Sequence, residues 1–119
     1  MKIMIVEDEE NIALSLKREL ESWKYETYVV ENFNDVIGEF ESENPQLILL
    51  DINLPYFNGY YWCQEIRKIS KVPIIFISSR NENMDIVMAM QLGGDDFITK
   101  PLNLTVISAK VQALIRRTY

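Results

Sequence analysis

Short apolar runs alternate along the chain with longer segments whose apolar residues recur at helical spacing. The runs 47–50 and 74–77 are apolar at every position, which is typical of central strands in a parallel sheet covered on both faces. Ile12, Leu16 and Leu20 recur four residues apart, as in a helix packed against a core. The pattern predicts five strand–helix units in order, with strands at 3–6, 27–30, 47–50, 74–77 and 97–98 and helices at 12–23, 36–40, 61–69, 84–92 and 104–117.

Turn-forming residues separate these segments. They are Asn44-Pro45 before the third strand, Asn58-Gly59 before the third helix, Val72-Pro73 before the fourth strand and Gly93-Gly94 after the fourth helix. The alternation predicts the α/β class, with a doubly wound, five-stranded parallel sheet and five helices. At 119 residues and 48% hydrophobic content, the chain fits one domain spanning 1–119.

Composition narrows the possible chemistry. The net charge of -6 at pH 7 gives no general attraction to nucleic acid phosphates, so DNA binding would require another domain. Because histidine is absent, carboxylates, hydroxyls and lysine must carry any reaction. The single cysteine, Cys63, cannot form an internal disulfide, and no apolar run is long enough for a membrane span or a signal peptide. We therefore expect a cytoplasmic protein without membrane insertion.

Acidic residues directly follow two of the predicted strands. Glu7 and Asp8 come after the first strand, and Asp51 closes the wholly apolar third strand. In doubly wound sheets, ligands bind at the carboxyl ends of strands where the winding reverses, and the strand order 2-1-3-4-5 makes strands one and three neighbours there. A cluster of like charges is costly unless a cation neutralises it. Oxygen ligands favour Mg²⁺, with Mn²⁺ as an alternative, at a site suited to phosphoryl transfer.

Each of these residues also has a simpler interpretation. An acidic first turn favoured by the helix dipole accounts for Glu9 and Glu10 but not for Asp51. Ser78 and Lys100 follow the fourth and fifth strands, where each alone is more often an ordinary strand-end hydroxyl or surface lysine. Together at one sheet edge, a hydroxyl and an ammonium could both bond phosphoryl oxygens.

The chain resembles the response-regulator receiver family over essentially its whole length. The resemblance rests on the segments 3–9, 49–55 with 58–59, 77–80 and 93–101. It implies a flavodoxin-like fold in which Asp51 accepts a phosphoryl group from the histidine of a sensor kinase. It also implies that Asp8, Asp51 and the backbone carbonyl of Asn53 bind Mg²⁺, with Glu7 acting through water.

The resemblance assigns further roles at the same edge. Lys100 would hold the phosphoryl group, and its bond to Pro101 would be cis. Ser78 and Phe97 would form the switch: the hydroxyl turns towards the phosphoryl oxygens, and the ring rotates into the space that it leaves. Serine and phenylalanine replace the commoner threonine and tyrosine, so the phenolic hydrogen bond is lost. Such a domain is not a turnover enzyme on external substrates.

The segment 84–119 is similar to the OmpR/PhoB subfamily. Its activated receivers form homodimers through the fourth helix, fifth strand and fifth helix, and they carry a C-terminal winged-helix DNA-binding domain. The resemblance implies that DNA is contacted only through such a domain beyond this chain. The predicted interface consists of Ile86, Met90, Gln91, Asp96, Val106, Ala109, Lys110 and Arg117.

Only one of the three charge pairs typical of that interface is intact here. It is Asp96 with Lys110, whereas the positions of the other two pairs map to Ile86 with Val106 and to Gln91 with Arg117. Ile86 and Val106 could pack across the dimer or within one subunit. The aromatic residues of the segments 56–57 and 60–62, together with the methionines Met84, Met88 and Met90, predict an unusually apolar surface. Among them, Trp62 and Met90 are expected to pack into the core.

The segment 59–63 and the uncharged interface positions resemble those of a Gram-positive group of regulators that respond to antimicrobial peptides acting on the cell envelope, such as bacitracin. This resemblance would link the protein to antibiotic resistance. Two other functions stay open. A stand-alone receiver could act in a phosphorelay or in motility without DNA binding. A phosphohydrolase with an aspartyl nucleophile is less favoured, because Asp51-Ile52-Asn53 lacks the second carboxylate that such enzymes use as general acid.

Overall fold

Strands and helices alternate through the chain in the predicted order. The computed structural model describes residues 1–80 and 82–119. The strands are β1 Lys2–Val6, β2 Glu26–Val29, β3 Leu47–Asp51, β4 Ile74–Ser78 and β5 Asp96–Thr99. The helices are α1 Glu10–Ser22, α2 Val36–Glu43, α3 Gly59–Arg67, α4 Asn83–Gln91 and α5 Leu104–Thr118. All ten predicted segments are confirmed, and most of their ends shift by only one or two residues.

The five strands form one parallel sheet in the order β2-β1-β3-β4-β5. This confirms the predicted order, with β1 and β3 adjacent at the point where the winding reverses. In the register, Val6 pairs with Leu50, Asp51 with Ile77, and Ser78 with Thr99. The carboxyl ends of the central strands therefore lie level at one edge of the sheet.

Each face of the sheet carries its own apolar core. Every residue of β3 and β4 is buried, as the unbroken apolar runs predicted. The α1 stripe packs as expected, with Leu16 and Leu20 buried and Ile12 half-buried. Helices α1 and α5 cover one face, and α2, α3 and α4 cover the other. No helix in the described ranges combines the length and apolarity needed to span a membrane.

The aromatic residues after β3 divide between surface and core. Tyr56, Phe57 and Tyr61 are 75%, 41% and 37% exposed, whereas Tyr60 and Trp62 are buried. The expected surface cluster is therefore smaller than the sequence suggested, because Tyr60 turns inward against Phe76. Tyr56 also has a left-handed backbone, with φ at 67°, which is uncommon for a bulky residue.

Arg67 ties three segments together at the sheet edge opposite the acidic residues. Its guanidinium donates hydrogen bonds to the carbonyl of Gly93 at 2.7 Å and to that of Val72 at 2.6 Å. It also pairs with Asp95 at 3.1 Å, and Asp95 in turn accepts a hydrogen bond from the backbone N–H of Ile74. One side chain thus links α3, the turn after α4 and the start of β4.

We predict that Arg67→Ala lowers the free energy of unfolding by about 2–3 kcal/mol, because several partly buried acceptors lose a charged donor at once. Urea denaturation followed by circular dichroism measures the change. Arg116→Ala, which removes an exposed arginine from α5, is the control and should change stability little. Equal midpoints for the two variants would show that the Arg67 network contributes no net stability.

Candidate functional site

Three carboxylates meet at the carboxyl edge of the sheet. Glu7 and Asp8 follow β1, and Asp51 is the last residue of β3. One oxygen from each residue lies within 4.8 Å of the others. Glu7 and Asp51 are only 2% and 1% exposed, whereas Asp8 is open to solvent. The neighbouring ends of β1 and β3 therefore bring together the acidic residues that the sequence singled out.

Lys100 reaches the same cluster from the end of β5. Its Nζ lies 2.9 Å from Glu7 Oε1, 3.1 Å from Asp51 Oδ2 and 3.4 Å from Glu9 Oε1. Its backbone N–H donates to the carbonyl of Ser78 at 2.8 Å. The bond from Lys100 to Pro101 is cis, as the resemblance implied. The ammonium therefore lies among the carboxylates of Glu7, Glu9 and Asp51.

Burial and charge shift the protonation of this cluster. Burial raises the pKa of Glu7 to about 7, helped by the adjacent Asp51 and opposed by Lys100. Burial alone would lower the pKa of Lys100, but its contacts with Glu7 and Asp51 outweigh that effect and raise it. Lys100 is thus cationic at neutral pH, and its charge only partly balances the carboxylates around it.

The residues present fit a hard divalent cation. Glu7 Oε1 is buried and, among the described residues, receives no hydrogen bond of good geometry, although the Lys100 ammonium is near. A buried carboxylate oxygen without an aligned donor suits a metal-bound water. Asp8 and Asp51 supply the other side-chain oxygens, and oxygen-only donors favour Mg²⁺ or Mn²⁺. Asn53, predicted to contribute its carbonyl, is exposed beside them and donates its N–H to Asp51 Oδ1 at 3.2 Å.

The two predicted switch residues lie behind this cluster. Ser78 is completely buried at the end of β4, and its Oγ accepts a hydrogen bond from the backbone N–H of Arg80 at 3.0 Å. Phe97, in β5, is half-buried and packs against the core under α3 and α4. The Ser78 hydroxyl is therefore engaged in the loop that leads to α4.

The predicted interface residues lie on α4, β5 and α5. Val106 is 44% exposed, and Gln91, Ala109 and Arg117 are also exposed, whereas Ile86 and Met90 are half-buried. Met90 contacts the core, as predicted. Asp96 and Lys110 pair at 3.2 Å within the chain. The one intact charge pair of the predicted interface is thus already formed inside a single subunit.

Glu9 is the site residue that the sequence did not reveal. Its carboxylate was assigned to an acidic helical turn, yet it makes no capping hydrogen bond at the start of α1 and instead contacts Lys100. Glu10 has the same side chain and makes no ion pair with Lys100 in the described structure. The sequence alone does not show which of the two glutamates can reach Lys100, because that depends on the residue at which α1 begins.

The sheet, its acidic edge and the facing lysine define a domain of the receiver type. Residues 3–112 match the response regulator receiver domain family, and the chain belongs to this family. Receiver domains bind Mg²⁺ at an acidic pocket, work with histidine kinases and often dimerise.

Two relatives extend the assignment. The chain is 51% identical over 118 residues to the uncharacterized transcriptional regulatory protein YvcP of Bacillus subtilis (strain 168), covering 99% of the chain and 50% of YvcP. It is 46% identical over 119 residues to the response regulator protein GraR of Staphylococcus aureus (strain JH9), covering 100% of the chain and 53% of GraR. The chain therefore spans about half the length of these relatives.

Solved structures agree with the fold. The N-terminal domain of the nisin resistance regulator NsrR, a lantibiotic response regulator, superposes with a TM-score of 0.88 at 53% identity, covering 96% of this chain and 97% of that one. A two-component response regulator from Clostridium difficile superposes with a TM-score of 0.94 at 35% identity, covering 99% and 98%. These likenesses confirm the predicted receiver fold.

Proposed function

We propose that this chain is the phosphorylation-controlled receiver of a two-component transcriptional regulator and that Asp51 accepts the phosphoryl group. The supporting observation is the meeting of Glu7, Asp8 and Asp51 opposite Lys100 at one sheet edge. Acceptor, cation-binding carboxylates and a phosphoryl-binding ammonium are then present together. This is the set that phosphoryl transfer by positioning and charge stabilisation requires.

In the proposed reaction, a carboxylate oxygen of Asp51 attacks the phosphorus of a phosphohistidine on the sensor kinase. The P–N bond breaks, its electron pair returns to the ring nitrogen, and an aspartyl phosphate is formed. Lys100 holds a phosphoryl oxygen through its ammonium. Asp8 and Asp51 would hold Mg²⁺, with Glu7 acting through water and the Asn53 carbonyl as a further ligand. The ion would neutralise charge on the phosphoryl oxygens.

The switch begins at Ser78. To bond a phosphoryl oxygen, its hydroxyl must release the N–H of Arg80, which it holds at 3.0 Å in this structure. The space that it leaves would be filled by Phe97, which is only half-buried. Such a two-state element needs a few kcal/mol of differential stabilisation from the phosphoryl group. The movement would alter the loop before α4 and so reach the surface of that helix.

The output would be a homodimer formed through α4, β5 and α5. This face exposes several large apolar side chains, which are Met84, Val87, Met88 and Val106. In a dimer, burial of Val106 with Ile86 would replace a charge pair by apolar contact, and Lys110 could exchange its Asp96 partner between subunits. DNA would be contacted by a C-terminal winged-helix domain beyond residue 119, in keeping with the greater length of the relatives.

The stimulus is proposed from one relative. NsrR is a nisin resistance regulator and a lantibiotic response regulator, and its receiver is 53% identical to this chain. We therefore infer that this receiver serves a response to a cell-envelope antimicrobial peptide and contributes to resistance against it. The greater length of YvcP and GraR, and the description of YvcP as a transcriptional regulatory protein, favour a transcriptional output over a stand-alone phosphorelay or motility receiver.

The direct test is incubation with phosphoramidate and Mg²⁺. Intact-mass spectrometry should show one added phosphoryl group on the 119-residue chain, which is lost in Asp51→Asn and when Mg²⁺ is chelated. Because Asn retains the shape of Asp, circular dichroism should show that the variant folds. Sedimentation of the phosphorylated chain should reveal a dimer. Continued single phosphorylation of folded Asp51→Asn would refute Asp51 as the acceptor.

A further inference from the structure

Glu9 occupies an unexpected place beside the candidate site. It is the N-cap residue of α1, a position where short polar side chains usually bond the first free N–H groups of the helix. Its side chain makes no such bond. It extends instead to the Lys100 ammonium, 3.4 Å away and 91 residues further along the chain. The acidic first turn of α1 therefore does not account for Glu9.

The position of Glu9 is fixed by its neighbours. Its backbone N–H donates to Glu7 Oε2 at 3.1 Å, while the other oxygen of Glu7 lies 2.9 Å from Lys100. Glu7, Glu9 and Lys100 thus form a closed ring of contacts. Within it, the ammonium donates hydrogen bonds to Asp51 at 3.1 Å and to Glu9 at 3.4 Å, and it forms an ion pair with Glu7.

Lys100 is therefore shared by the carboxylates of Asp51, Glu7 and Glu9. Asp51 is buried, whereas the Glu9 side chain is 63% exposed. A phosphoryl group on Asp51 would need the same ammonium, and each negative group beside Lys100 offsets part of the charge that it can offer. Because Glu9 is exposed, its contact is weak enough to be given up when a doubly charged phosphoryl group arrives.

We propose that Glu9 is a positioning residue that competes with the phosphoryl group for Lys100 and so limits the rate of phosphorylation. The inference rests on the proposed function of Asp51. Removing the charge should speed transfer from phosphoramidate, in which the P–N bond breaks and the nitrogen takes a proton from water to leave as ammonia. The gain should appear in the limiting rate at saturating donor, because Glu9 acts on the Lys100 that stabilises the transition state.

The experiment compares five variants by the dependence of the phosphorylation rate on phosphoramidate concentration at saturating Mg²⁺. Glu9→Gln keeps a hydrogen-bond acceptor but loses the charge, and Glu9→Ala loses both. Glu10→Gln removes the same charge from the next residue, which does not contact Lys100. We expect both Glu9 variants to raise the limiting rate by about two- to fivefold, the range of an exposed ion pair. Glu10→Gln should alter only the apparent KM, through net charge.

The remaining two variants are Lys100→Met alone and Lys100→Met combined with Glu9→Gln, and they test whether the effect passes through Lys100. The combined variant should match Lys100→Met alone, because the residue that Glu9 acts on is gone. Competition is refuted if Glu9→Gln behaves like Glu10→Gln, if Glu9→Ala is slower than the unaltered chain, or if the gain persists without Lys100. If the unaltered chain itself takes up no phosphoryl group, the proposed function fails instead.

Discussion

Lys100→Met should slow phosphorylation of Asp51 by about 100-fold while strengthening Mg²⁺ binding by roughly tenfold. The two effects have opposite signs because the ammonium plays two parts. It lies 3.1 Å from Asp51, where it can stabilise charge on a transferring phosphoryl group. It also lies 2.9 Å from Glu7, where it offsets the negative charge that attracts a cation. Methionine has similar length without the charge.

The slower transfer follows from the loss of a fixed donor. Lys100 is only 14% exposed, so no bulk solvent replaces it at the phosphoryl oxygens. Removing one such preorganised donor typically costs about 100- to 1,000-fold in rate. The tighter Mg²⁺ binding follows because Glu7, Asp8 and Asp51 would then attract the ion without a competing positive charge.

The two effects require separate measurements. Isothermal titration calorimetry gives the Mg²⁺ affinity, and intact-mass kinetics with phosphoramidate gives the rate at saturating Mg²⁺. Lys110→Met is the matched control, because Lys110 pairs with Asp96 on the α5 side and should leave both quantities nearly unchanged. If Lys100→Met binds Mg²⁺ more tightly and keeps its phosphorylation rate, Lys100 does not act on the phosphoryl group.

The strands and the edge that holds the site were predictable because their signals are local. β3 and β4 are apolar at every position, and only a strand buried on both faces requires that. Asp51 then stands out as a carboxylate that ends such a strand. In a parallel sheet the carboxyl ends share one edge, so Glu7, Asp51 and Lys100 could be grouped before any distance was known.

The details of side-chain direction were not predictable in this way. Adjacent helical residues point about 100° apart, so the environments of Glu9 and Glu10 depend on the residue at which α1 begins. The same rotation places Tyr60 in the core and leaves Tyr61 exposed. A pattern of charged residues also does not show whether the two members of an ion pair come from one chain or from two. The resemblance predicts that Lys110 meets Asp96 across a dimer, and the structure shows that the two side chains can also pair within one chain.

The start of α3 shows how closely the backbone fits around the acceptor. Gly59 is the first residue of α3, and its N–H donates to the carbonyl of Ile52 at 2.8 Å. A Cβ atom at this position would collide with the backbone oxygen of Asp51 and would lie 2.9 Å from the Cα of Ile52. Both obstacles are main-chain atoms, so they cannot rotate away as a side chain could.

We predict that Gly59→Ala lowers the free energy of unfolding by about 3 kcal/mol or more. In an ordinary helical position this change would stabilise the fold by up to about 1 kcal/mol, so the sign of the effect is diagnostic. Relief of the collision must move α3 away from the end of β3, which carries Asp51. Phosphorylation with phosphoramidate should therefore slow even under conditions where the variant is fully folded.

Gly38→Ala provides the matched control. Gly38 lies in the first turn of α2, where the three atoms nearest to a new Cβ all belong to the carboxylate of Asp35. That side chain can rotate, at the cost of the capping bond that it accepts from the Gly38 N–H. Urea denaturation should therefore show a loss at least about 2 kcal/mol smaller than for Gly59→Ala. Equal losses, or a stabilising Gly59→Ala, would mean that α3 does not press against the acceptor strand.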